Sequence, residues 1–286
     1  MRLELSWGKL RRWYLKTFRL GYVARMKGKQ LCEPVGCPHE VLDPRDLKFF
    51  RNLTGDCWDD TDDPFRWRDR LPFARAGLTE LLLMAGAPIL FAVVAGSFYW
   101  PLAIPLLGLA FFFVWFFRDP HRIVPTGTGL VVSPADGKVV AVDRVEYDPF
   151  VGGPAVVVGI FLSVFNVHIN RAPAKCRVIG LTYQPGKFLN ALRPISAREN
   201  ERMIVRLEGD EKPFRRYVVR QIAGALARRI VCHVRPGDQL AAGARFGMIK
   251  LGSRTELVLP EDHKLDVKAV LGQKVKAGSS ILAVYQ

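Results

Sequence analysis

Gly237-Asp238-Gln239-Leu240-Ala241-Ala242-Gly243-Ala244-Arg245-Phe246-Gly247-Met248-Ile249-Lys250-Leu251-Gly252-Ser253-Arg254 is the stretch on which the reading of this 286-residue chain turns. It opens on Gly237-x-x-Leu240-x-x-Gly243, a pattern that returns as Gly272-x-x-Val275-x-x-Gly278, and each copy runs into an apolar segment with the texture of a strand. Glycines so placed let two hairpins cross more closely than side chains permit. Working outward, Val131-Val132, Lys138–Val142, Ala155–Phe161, Tyr217–Val219, Arg229–Val231 and Glu256–Leu259 are short β-branched runs between glycines and prolines, and all read as strands. After Pro125 helix-like stretches are few beyond Gln221–Ala227. The predicted class is mainly β within α+β, with a β-rich domain over residues 119–286.

The paired glycine turns resemble the hammerheads of lipoyl- and biotinyl-carrier barrel-sandwich domains. A carrier also needs a lysine at a tight hairpin tip, and between its two turns this chain has Gly252-Ser253 instead. The backbone path such a step takes is one that glycine alone relaxes. In a strained turn the serine hydroxyl can attack the preceding carbonyl and turn the amide into an ester. β-Elimination then leaves dehydroalanine, which hydrolyses to a pyruvoyl group at a new N-terminus. Gly-Ser is also among the commonest turn dipeptides, so the pair alone does not decide.

A net charge of +15 and a sequence pI near 9.9 call for an anionic partner. The chain has no RNP-type strand, zinc-finger spacing or helix-turn-helix pattern, so no nucleic-acid partner is expected. A membrane fits better. Between Glu80 and Arg118 lie 37 consecutive residues without a charge, more than the roughly 20 that one span needs. Trp100-Pro101 divides them, which predicts helices over 81–99 and 102–117 and a membrane-anchoring helical hairpin over 76–118. Basic flanks on both sides place the protein at the cell membrane, on its cytoplasmic side. Residues 1–75 form a basic extension in which Leu3, Trp7, Leu10, Tyr14 and Phe18 share one helical face suited to an anionic phospholipid surface. Cys32, Cys37 and Cys57 with His39 have poor zinc spacing, and Asp56, Asp59, Asp60, Asp62 and Asp63 lack a calcium-loop pattern, so no metal is expected.

Four ordered motifs fix the chemistry: Ser133-Pro134-Ala135-Asp136-Gly137-Lys138-Val139, then Phe165-Asn166-Val167-His168-Ile169-Asn170-Arg171-Ala172-Pro173, then Arg245–Lys250, then Gly252-Ser253-Arg254. Together they resemble the short branch of the phosphatidylserine decarboxylase family, over about Leu81 to Gln286. The resemblance implies self-cleavage between Gly252 and Ser253 and a covalent pyruvoyl cofactor made from Ser253. That group would form a Schiff base with phosphatidylserine and release phosphatidylethanolamine and carbon dioxide. It also implies a heterodimer of the two fragments of one proenzyme, with higher homo-oligomers open. His168 is the candidate base for Ser253, and Asp136 the candidate group that orients it. The long branch has H-x-x-H where this chain has His168-x-x-Arg171, so Arg171 becomes a candidate for holding carboxylate or phosphate, with Lys250 and Lys187. Two rivals stand: a membrane-anchored lipoyl-like β adaptor without catalysis, and a pyruvoyl enzyme for a soluble amino acid.

Overall fold

A computed structural model describes residues 70–225, 230–250 and 252–286, with Leu10, Trp13, Tyr14, residues 17–21 and Trp67. Of the N-terminal stripe, Leu10, Tyr14 and Phe18 are helical and exposed, and the Phe18 ring lies on Tyr14. Leu3, Trp7, the Cys32, Cys37, Cys57 and His39 set and the aspartate cluster fall outside the described residues.

The charge-free segment folds as α1 (Leu78–Phe98) and α2 (Ala103–Phe116), joined through Tyr99 and a 3-10 turn at Trp100–Leu102. Both helices are apolar all round, which a water-facing helix does not sustain. They touch through small residues, Gly96 against Ala103, and through Leu81, Ala85, Ala110 and Phe113. Among the described residues, their inner ends are what meets the β domain. There Phe116 and Phe117 are buried with Val167, Ile169, Val231 and Met248, at about 2 kcal/mol of apolar burial for each phenylalanine. Outward, Leu82, Leu83, Leu90, Phe91, Val93, Phe98, Leu107 and Phe111 stand exposed. The helical run Arg75–Phe98 is long and apolar enough to cross a membrane.

The β domain is built on an eight-stranded antiparallel sheet. Its order is β13 (Lys274–Val275), β2 (Gly137–Asp148), β3 (Gly153–Leu162), β11 (Ser253–Pro260), β7 (Arg216–Ala223), β6 (Arg202–Gly209), β5 (Cys176–Gln184) and β9 (Gln239–Leu240). Bulges at Val139/Ala141 and Val178/Gly180 bend it. Two small sheets close the core: β1 (Leu130–Val132), β14 (Ile281–Tyr285) and β12 (Leu265–Val267) form one, and β4 (Ile169–Arg171), β10 (Arg245–Ile249) and β8 (Ile230–Cys232) the other. Strand alternation gives the second of these two faces. Ile249, Ile230 and Cys232 point into the main core with Ile160, Leu162 and Leu257, while Met248, Val231 and Ile169 face the helices, and the bulge between Arg245 and Gly247 turns Phe246 into the core as well. The sheet of β4, β10 and β8 is therefore clamped between core and helices.

The two glycine turns come together at Gly243 and Gly278. Gly243 and Gly278 have φ of +74° and +73°, and a Cβ added to Gly278 would sit 3.3 Å from the Cα of Gly243. One expectation is corrected: Gln221–Ala223, read as the start of a helix, is the end of β7, because its neighbours on β11 and β6 supply a ladder that overrides local propensity.

Candidate active site

Chain direction changes sharply at Gly252. β10 ends at Ile249, Gly252 takes φ +65°, and Ser253 opens β11, paired with Leu162 on one side and Ala223 on the other. Ser253 is wholly buried and its Oγ has no hydrogen-bond partner. Leaving a buried hydroxyl unpaired costs about 1–3 kcal/mol, so its persistence needs a reason other than stability. The Gly252 carbonyl it would attack is hemmed in: a Cβ on Gly224 would lie 2.2 Å from that oxygen.

His168 reaches the same point from the opposite loop. Asn166 Oδ1 accepts from both the backbone N–H and the hydroxyl of Ser163, which tightens the turn. That turn sets the Asn166 carbonyl 2.8 Å from His168 Nδ1. A carbonyl only accepts, so Nδ1 carries the proton and Nε2 presents its lone pair. At 3.1 Å that lone pair accepts the Gly252 N–H. The ring packs on Phe116, centroids 4.7 Å apart. Burial lowers its pKa to about 4; the Asn166 carbonyl opposes the shift and the Arg118 charge adds to it. A neutral imidazole thus waits one residue from an unpaired serine hydroxyl.

Asp136 is buried near this region, but its bonds go elsewhere. Oδ2 accepts from Arg122 and Oδ1 from the Ala277 N–H, both at 2.7 Å. It ties its own loop to the second glycine turn, and the Asn166 carbonyl orients His168 in its place. Arg171 is likewise committed: its guanidinium donates to Asp119 at 2.8 Å and to the Gly243 carbonyl at 3.0 Å, inside the glycine crossing. Its reading as an open anion contact does not match this geometry. Lys250 is buried against Glu80 of α1, pinning the strand before the Gly-Ser step to the helices. Lys187 is exposed and pairs with Glu199 at 2.8 Å on the surface. Of the candidates, the structure brings together Gly252, Ser253 and His168, with Lys250 just upstream.

Other residues that build the site were not singled out. Asn170 donates to Thr255 Oγ1 at 3.0 Å and accepts from Gln221 at 2.9 Å, all three wholly buried on the Ser253 side of β11. On the opposite face Arg254 is buried with Glu256, which also meets Arg220. Asn166 and Asn170 flank His168 in the quoted motif, so the signal was present. Gly224 had none, since only its closeness to the Gly252 carbonyl gives it meaning. Among the described residues no group of His, Cys, Asp and Glu could hold a metal ion.

Comparison with known proteins gives this geometry a context. The family model described as phosphatidylserine decarboxylase matches residues 109–283. A phosphatidylserine decarboxylase proenzyme of Rhodopirellula baltica is 54% identical over 240 residues, covering 84% of this chain and 99% of the relative. Proenzymes of the same name from Symbiobacterium thermophilum and Nitrosomonas eutropha are 48% and 43% identical, over 69% and 71% of this chain and 90% and 92% of theirs.

Proposed function

Because this chain belongs to the phosphatidylserine decarboxylase family, we propose that it is made as a proenzyme, cuts itself between Gly252 and Ser253, and then converts phosphatidylserine to phosphatidylethanolamine and carbon dioxide. The observation that carries the self-cleavage is the wholly buried, unpartnered Ser253 Oγ beside a left-handed Gly252 that bonds to neutral His168.

In the first reaction Nε2 of His168 exchanges the Gly252 N–H for the Ser253 hydroxyl and takes its proton. The oxygen attacks the Gly252 carbonyl carbon, and the amide nitrogen leaves as an amine bearing a proton. Loss of the Ser253 Cα proton then expels the Gly252 carboxylate and leaves dehydroalanine. Water replaces the nitrogen, which departs as ammonia, and residue 253 becomes a ketone. The surroundings suit that product: Ser253 Oγ makes no hydrogen bond, so its conversion strands no partner.

A pyruvoyl ketone condenses with a primary amine and accepts the electron pair released when the neighbouring carboxylate departs as carbon dioxide. In this reading the Nε2 lone pair of His168 first takes up a proton and then passes it to the substrate carbon. Phe116 shields the ring from water. The two apolar helices support a membrane-held enzyme, read as a hairpin that brings the lipid to Ser253, and the basic residues on both flanks are what favours the cytoplasmic side. We also read the Gly243/Gly278 crossing as a lipoyl-type barrel-sandwich element. The β-rich fragment ending at Gly252 and the fragment 253–286 remain one heterodimer, because β11 is paired on both edges.

Intact mass under denaturing conditions tests this. The chain splits between Gly252 and Ser253, and the smaller fragment carries a blocked, ketone-reactive N-terminus. Ser253→Ala stays whole. An intact wild-type chain would move the non-catalytic adaptor to first place.

A further inference from the structure

Resting on the decarboxylase reading, we infer that residues 185–200, with the tip of the loop before His168, form a second membrane-seated element that sets an anionic bilayer surface over the Gly252–Ser253 junction. The segment is rigidly built. Asn200 bonds both the N–H and the carbonyl of Leu189 and donates to the Ala223 carbonyl at 2.7 Å, and Ala223 is the strand partner of Ser253. The Ser196 hydroxyl donates to the Arg193 carbonyl at 2.6 Å. Ala191 is buried against Gly224, the residue that abuts the Gly252 carbonyl.

With Asn200 and Ser196 bonded inward, the segment leaves two large apolar side chains in the open. Leu192 is 54% exposed and Ile195 46%, within four residues of each other. A protein that faced only water here would gain nothing from holding them there. Arg193 and Arg198 are exposed beside them, which makes the face cationic as well as apolar, the combination that anionic lipid attracts. Across the junction the loop that carries His168 does the same: Phe165 is 65% exposed, and its ring meets Phe112 of α2 edge-on. Val164 of that loop is the neighbour nearest the open side of Gly252. Both walls of the junction therefore end in apolar side chains, and one wall is continuous with the helices. The occupant that matches apolar tips, flanking arginines and continuity with α2 is a lipid bilayer bearing negative charge.

The test uses the full chain in detergent and has two readouts. In a background with Cys32, Cys37 and Cys57 changed to serine, Leu192→Cys is labelled with an environment-sensitive dye. The label shifts to the blue on adding phosphatidylglycerol vesicles, and less with phosphatidylcholine alone. No shift while the protein co-sediments with the vesicles overturns the inference. Separately, the Leu192→Ser/Ile195→Ser variant cleaves itself normally and loses about tenfold or more of its activity on vesicle phosphatidylserine, yet keeps its activity on dispersed short-chain phosphatidylserine. Equal loss on both substrates overturns it too. If the wild-type chain turns over neither substrate, the decarboxylase reading fails instead, and the dye result decides the membrane contact by itself.

Discussion

Replacing Gly224 with alanine puts a methyl group where the Gly252 carbonyl oxygen already sits. The added Cβ would lie 2.2 Å from that oxygen, and both atoms belong to backbone that has strands on either side. Comfortable carbon–oxygen contact begins above about 3.2 Å, so one of the two must retreat by about 1 Å. Gly252 is the freer, because a Cβ on it would find only Val164, at 3.9 Å. The scissile carbonyl therefore moves relative to Ser253 Oγ. Attack needs a reacting pair near 3–3.5 Å and aligned, and a misplacement of about 1 Å slows such steps on the order of a hundredfold. That equals about 2.7 kcal/mol of barrier. Overpacking costs about 1–3 kcal/mol of stability, which leaves a folded chain to observe. The assay is cell-free synthesis into detergent with timed intact-mass sampling, and Gly153→Ala, whose Cβ meets nothing within 4 Å, is the control. Gly224→Ala that folds, judged by near-ultraviolet dichroism, and cleaves at the wild-type rate would refute the claim that this contact sets the attack geometry.

The His168 pKa near 4 lies below the ordinary value of 6.5, so the native chain takes up that proton later than the unfolded chain. Its contribution is complete above about pH 6.5 and is lost as pH falls toward 4: in denaturant titrations at pH 7.5 and 4.5, Ser253→Ala loses about 2–3 kcal/mol more than Ser253→Ala/His168→Gln. Because the imidazole stays neutral, self-cleavage is level from about pH 8 to 5 and declines below that; a midpoint near 6.5 in a mass-resolved time course contradicts the buried, neutral ring. Asp119→Ala leaves buried Arg171 without its carboxylate and lowers stability by about 3–5 kcal/mol, read from denaturation midpoints in detergent. Asn170→Ala removes the donor to Thr255 and the acceptor for Gln221 and costs about 1–3 kcal/mol, whereas a change below 0.5 kcal/mol implies that water replaces it.

What the sequence disclosed followed from which signals are local. The strands at 155–161 and 256–259 are nearly continuous apolar runs because both faces are covered, the one at 138–142 is marked by its valines although only half covered, and they lie inside β3, β11 and β2. The helices at 81–99 and 102–117 fell within a few residues of their observed ends. β6 escaped because its alternation of Arg202, Arg206 and Glu208 with Met203, Val205 and Leu207 interrupts any such run, although a period of two is plain once sought. Motif order singled out Gly252, Ser253 and His168, which the structure brings together at the candidate site. The partner of His168 was not: a carboxylate in a neighbouring motif suggested Asp136, whereas the turn at Ser163–Asn166 brings a backbone carbonyl two residues away. Backbone acceptors carry no letter in a sequence. The same holds for the engagement of Arg171 by Asp119 and Gly243, which depends on residues 52 and 72 positions away.

The Gly252–Ser253 bond is out of reach of other proteins. A protease must draw an extended, exposed stretch of several residues into its cleft, and here Ser253 is wholly buried at the head of a strand with neighbours on both edges. Burial leaves the groups of the same chain as the ones within reach of it. If the chain cuts itself there as proposed, maturation is a first-order clock that starts when each molecule folds: its expected half-time is unchanged by dilution, by crowding with mature copies or by protease inhibitors, and every chain keeps its own time.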